Sequence, residues 1–204
     1  MTFWDTIKGG DYVMIALAVI FIAGVVIFWV RCVQLSKDRE RSLRMMERVK
    51  DYVMEGDIEN ARHQCEITKS AGSTVVNKGL KKLGSPISEV KEAILEVSTA
   101  EKGKMCRGEG WLLNFVVISP LLGFGGTLLG VTDRLRDFGE AGLDVNTATV
   151  CSALAPTVVT AIAGFGVGIV SMIFLSILKG RIKKAKGDLD AIGIEFIELL
   201  NEPV

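Results

Sequence analysis

The amino-acid sequence predicts an all-α membrane protein with three transmembrane helices, two of them extended into a cytoplasmic helical bundle. Three observations carry that expectation. Apolar residues make up 49% of the 204-residue chain and charged ones 24%, yet the two kinds segregate into separate stretches. The uncharged stretches are long enough to cross a hydrocarbon core of about 30 Å at about 1.5 Å of helix per residue. Lys and Arg crowd into the segments that follow two of those stretches, as the positive-inside rule expects of cytoplasmic loops.

Residues 1–11 carry Asp5, Lys8 and Asp11 instead of a basic cluster, and form an expected periplasmic N-terminus. The first uncharged run, 12–30, is followed by Arg31-Cys32-Val33-Gln34, which is no small-residue cleavage site. It therefore reads as a retained anchor and not as a signal peptide. Segment 31–110 carries 16 basic residues and reads as cytoplasmic. Within it, Gly56, Gly72, Gly79 and Gly84 are expected to punctuate several helices. Ser85-Pro86 resembles a helix start with Pro in the first position, and Ile87, Val90, Ile94 and Val97 form one apolar stripe.

The second run, 111–132, and the third, 147–178, are likewise free of charged residues, with a short periplasmic loop expected at 133–146. That loop contains only Arg134 and Arg136 as basic residues, whereas the 179–204 tail opens with five between Lys179 and Lys186. The N-terminus is thus expected outside and the C-terminus inside. Apolar residues continue past the third run at Leu175, Leu178, Ile182, Ala185, Leu189, Ile192, Phe196 and Leu199. Alternating steps of three and four make a heptad seam, so the third span should run on as a cytoplasmic helix. The seam needs a partner: the chain's own middle segment or a neighbouring copy.

Several function classes find no support. A formal net charge of zero supplies no attraction to nucleic acid. Cys32, Cys65, Cys106 and Cys151 stand far apart, and His63 is the single histidine, so neither a zinc site nor a disulfide framework is expected. The chain contains no H-E-x-x-H, no phosphate loop and no Ser/His/Asp set, and no enzyme activity or cofactor is expected of it.

The second and third spans differ from the first in their small residues. In the second, Ser119, Gly123, Gly126, Thr127 and Gly130 recur at helical spacing; in the third, Ala153, Thr157, Thr160, Ala161, Gly164, Gly168 and Ser171 do the same. Small faces let helices approach closely in lipid, where packing replaces the hydrophobic drive. Pro120 and Pro156 lie inside these spans and should kink them, each freeing a backbone carbonyl. Thr127, Thr157 and Thr160 are candidates to line a hydrated path facing a partner, although Thr hydroxyls also commonly bond back to their own helix. No Asp, Glu, His, Lys or Arg lies inside any span. A proton carrier at the bilayer midplane would have to come from another polypeptide.

The run Ile118 to Val131, with Ser119-Pro120 and Gly123 to Gly130 inside it, resembles the MotA/TolQ/ExbB proton-channel family, closest to its TolQ/ExbB branch. Ala153-Leu154-Ala155-Pro156 with the Gly-rich span behind it, Gly56 to Ala61 with Cys65, and Val75 to Gly79 are similar to the same family. The resemblance implies a homo-pentamer around a single-span ExbD/TolR-like subunit whose aspartate lies against the Thr-bearing faces. It further implies an inner-membrane, ion-driven motor, using protons or alternatively sodium, that works through a TonB/TolA-like protein. A non-conducting scaffold of the same fold is the rival reading.

Overall fold

The structure is a computed structural model describing residues 12–141 and 146–201. The expected N-terminal segment 1–11, residues 142–145 of the expected loop and residues 202–204 lie outside the described residues. All described elements are helices: α1 (Tyr12–Met54), α2 (Ile58–Thr68), α3 (Ala71–Lys81), α4 (Ile87–Met105), α5 (Glu109–Ala141) and α6 (Thr147–Asn201). Three of them, α1, α5 and α6, contain stretches long and apolar enough to cross a membrane. The α5 helix does not stop at the end of its uncharged run, and residues 133–141 of the expected loop continue it. Arg136 and Glu140, one turn apart on that extension, form an ion pair at 2.8 Å.

The chain divides into two compact units, Met1–Trp29 with Gly108–Ile177, and Val30–Arg107 with Leu178–Val204. The first unit holds the second uncharged run and all but the last residue of the first and third. Within their most apolar windows only 17%, 17% and 28% is buried, so most of this surface requires lipid or other chains against it. Phe28 stacks on Phe174 with ring centroids 4.6 Å apart, joining the first span to the third.

The second unit has a conventional apolar core. Met45, Met46 and Val49 of α1, Cys65 of α2, Val75 and Val76 of α3, Val90 and Ile94 of α4, and Leu189, Ile192 and Phe196 of α6 are buried together. The heptad seam therefore finds its partner in the chain's own middle segment. Of its members in this unit, those from Leu178 to Phe196 are buried and Leu199 is partly buried against the core. Ion pairs Arg39–Asp188, Lys102–Asp190 and Lys50–Glu195, the last at 3.5 Å, flank the seam. Being partly exposed, each contributes only about 0–1 kcal/mol, so register comes chiefly from the apolar seam.

The four glycines expected to punctuate the middle segment divide by role. Gly56 and Gly84 have φ of 77° and 94° in the turns after α1 and α3, where a side chain would be strained. Gly72 and Gly79 instead lie inside α3. A Cβ at Gly72 would come within 2.8 Å of the Ser42 side chain, and one at Gly79 within 2.5 Å of the Phe196 ring. These two admit neighbours and do not break the helix. Pro86 stands just before α4 as its cap residue, one position earlier than expected, and its carbonyl accepts from the Glu89 N–H at 2.9 Å.

The start of α3 is capped from two elements. Ser70 and Ser73 form a reciprocal capping box, Ser42 Oγ accepts from the Gly72 N–H at 3.1 Å, and the Asp38 carboxylate accepts from the Ala71 N–H at 3.2 Å. Orphan donors of the first turn are thus met by α1, which locks α3 against it. Cys65 lies beside Met45, sulfur to sulfur at 3.6 Å. Burial and then the Glu66 charge push its thiol up to about 12, so it is unreactive at neutral pH.

Candidate ion-path site between the second and third spans

The small-residue faces meet backbone to backbone. A Cβ on Gly123 would lie 2.8 Å from Gly164 Cα, and one on Gly164 would lie 2.7 Å from both Gly123 Cα and the Ser119 carbonyl oxygen. Only a pair of glycines permits this approach. Two turns along α5, Gly130 receives the Thr157 methyl; in the other direction, Gly168 receives the Pro120 ring. Both α5 and α6 continue through their prolines. Pro120 cannot donate to the Val116 carbonyl, and that oxygen lies on the Gly168 side of the contact, 3.4 Å from where a Cβ would sit.

This close approach brings the hydroxyls together. Thr127 Oγ1 lies 3.0 Å from the Gly123 carbonyl of its own helix, 3.0 Å from the Thr157 carbonyl and 3.2 Å from Thr160 Oγ1. Thr160 donates to the Thr157 carbonyl at 2.6 Å, and Thr157 donates to the Leu154 carbonyl at 2.7 Å. Thr157 and Thr160 are 7% and 1% exposed, so both hydroxyls are closed off inside the chain, whereas Thr127 is only half-buried. Of the three candidate threonines, Thr127 is the least buried. Thr157 contributes its methyl to the α5 contact and turns its hydroxyl back on its own helix.

Gly126 departs from the face expected for it. Its absent side chain accommodates Val13 of the first span, with a Cβ there falling 2.7 Å from the valine Cγ1. The second span thus uses one glycine surface for α6 and another for α1. Val13 has no distinguishing signal in an all-apolar run, and no spacing rule singles it out. Ser119, fully buried, bonds the Phe115 carbonyl at 2.7 Å, which occupies its hydroxyl locally.

Chemically, the cluster consists of hydroxyls and carbonyl oxygens with no titrating group among them. A hydroxyl has one proton, so Thr127 can serve either the Gly123 or the Thr157 carbonyl at a given moment. Its lone pairs remain available to accept from a protonated acid, and its proton can be redirected to a carboxylate or water.

The family model described as the MotA/TolQ/ExbB proton channel family matches residues 67–191, more than half of the chain. The chain belongs to this family. The match includes the second span and the small-residue face of the third, so the threonine cluster lies within the MotA/TolQ/ExbB region. A protein of Methanothermobacter thermautotrophicus named as a biopolymer transport protein ExbB homolog is 30% identical over 110 residues, covering 54% of this chain and 38% of the relative. The chain thus spans well under half of that relative's length. Family membership and three apolar helices together make this a multi-pass membrane protein.

Proposed function

We propose that this chain is the pentameric channel subunit of an ion-driven motor in the inner membrane, and that it is not an enzyme. A single-span ExbD/TolR-like subunit supplies the intramembrane aspartate, which lies against Thr127, and proton flow, or alternatively sodium flow, past that contact drives the partner. The work reaches the cell envelope through a TonB/TolA-like protein, as in TonB-dependent uptake. The observation that supports this reading is the combination of three spans without an ionisable residue and a partly buried hydroxyl, Thr127, one turn from the closest helix contact. A channel of this family needs a charge carrier, and these walls are suited to solvating one brought from outside the chain. One ion crossing about 100 mV releases about 2.3 kcal/mol, so a few per step suffice for mechanical work.

Thr127→Val keeps the shape and deletes the hydroxyl. Ion-driven work with the co-expressed single-span partner is expected to fall about 10- to 100-fold, the range for losing a hydrogen bond to a charged group, while subunit counting still gives a pentamer. Thr127→Ser is expected to restore most of it. Full activity in Thr127→Val would favour the non-conducting scaffold.

The proposed orientation has the N-terminus periplasmic and the C-terminus cytoplasmic. It is supported by the 16 basic residues of segment 31–110 and the five that open the tail. Both Asp137 and Lys184 are exposed. In intact cells, a membrane-impermeant maleimide is expected to label Asp137→Cys and spare Lys184→Cys. The reverse pattern would invert the topology.

A further inference from the structure

Within the second unit is a cavity of about 430 Å³ whose lining is divided in character. Leu35, Met105 and Leu178 make an apolar wall, and Arg31, Lys69 and Lys104 bring three cationic groups. The two carboxylates present, Asp38 and Glu101, are already engaged: Asp38 caps α3 through the Ala71 N–H, and Glu101 pairs with Lys104 at 2.6 Å. Among the described residues, the partners of these two carboxylates are Lys104 and the Ala71 N–H, not Arg31 or Lys69. Arg31 makes a long contact with Gln34, at 3.5 Å. An anion of matching size would complete the site.

The chain itself sets the depth of this cavity. Arg31 is the first charged residue after the uncharged run 12–30, and Leu178 is the last residue of the uncharged run 147–178. Two independent spans thus place one lining residue each where hydrocarbon gives way to headgroups. A soluble anion would need the cations but not the apolar wall; a phospholipid uses both.

We propose that this cavity seats the headgroup of an anionic phospholipid, with its phosphate held between Arg31 and Lys69 and its glycerol end against Leu35, Met105 and Leu178. The site is separate from the threonine cluster and does not rest on the ion-channel reading. Asp38 is the counter-charge. Its desolvation, reinforced by Glu101 and opposed by the Ala71 N–H and Arg41, raises its carboxyl above the usual range. Falling pH makes the cavity more positive and should tighten the site.

The test uses the full-length protein in mild detergent, titrated with phosphatidylglycerol, phosphatidylcholine or inorganic phosphate, with retained ligand read by native mass spectrometry. Phosphatidylglycerol is expected to bind about tenfold more tightly than phosphatidylcholine, with inorganic phosphate a poor competitor. The Arg31→Gln/Lys69→Gln double variant is expected to erase the preference. Lys78→Gln/Lys81→Gln, which removes equal charge outside the cavity, should keep it. Asp38→Asn still accepts from the Ala71 N–H and should tighten binding severalfold, so it decides the matter if the double variant does not fold. Equal retention of the two lipids, efficient competition by inorganic phosphate, equal losses in both double variants, or unchanged or weaker binding in Asp38→Asn would each overturn the assignment.

Discussion

Gly164→Val is expected to abolish ion-driven work and to lower thermal stability in detergent by at least about 2 kcal/mol, within the range for forcing extra atoms into a packed contact. The reason lies in which atoms oppose position 164. A Cβ there would sit 2.7 Å from Gly123 Cα and from the Ser119 carbonyl oxygen, and backbone atoms cannot rotate away as a side-chain tip can. The helices must separate, and the Thr127 contacts with the Thr157 carbonyl and the Thr160 hydroxyl, at 3.0 and 3.2 Å, leave little tolerance for separation. Packing is the main cohesive term between helices in lipid, so its loss is not offset by a hydrophobic drive. Gly164→Ala should show a smaller loss of the same kind. Gly166→Ala, whose Cβ would meet nothing within 4 Å, should behave as wild type. A Gly164→Val protein as stable and active as the parent would refute the close-contact geometry.

Phe196→Ala is expected to cost about 3–5 kcal/mol in the second unit, the usual range for deleting a buried aromatic ring. Phe196 is fully buried in the core formed with α1, α3 and α4, and its ring occupies the space left by the missing side chain of Gly79. Denaturant unfolding or limited proteolysis would measure the loss. The reciprocal change, Gly79→Leu, should be damaging alone because its Cβ would fall 2.5 Å from the ring. Combined with Phe196→Ala it should recover part of the stability, a coupling that independent sites would not show. Additive losses in the double variant would mean that the two positions do not share one space.

Much of this arrangement is legible in the sequence because it depends on local pattern. The spans follow from runs without charge. The seam from Leu178 to Phe196 follows from steps of three and four, and its apolar members became the core of the second unit. The glycines show where such reading ends. Gly56 and Gly84 give the chain the positive φ of a turn, while Gly72 and Gly79 look identical in sequence yet sit inside α3. A glycine's usefulness can lie in its own backbone or in its neighbour's bulk, and only the second requires knowing the neighbour.

The threonines show the same boundary. Their spacing places Thr157 and Thr160 near one face of a helix, but not which way each hydroxyl turns. Packing against α5 closed those two inward and left Thr127 partly buried. Hydropathy and periodicity, which are properties of neighbouring residues, determined the membrane-spanning class, the three spans and the continuous seam. The tertiary structure alone decided that the seam packs on its own chain, that Gly126 faces Val13 while Gly123 faces Gly164, and that Thr127 is less buried than Thr157 and Thr160. A helical repeat defines a face, but the rotation of that face about the helix axis, and the surface it meets, are set by contacts between residues far apart in the chain.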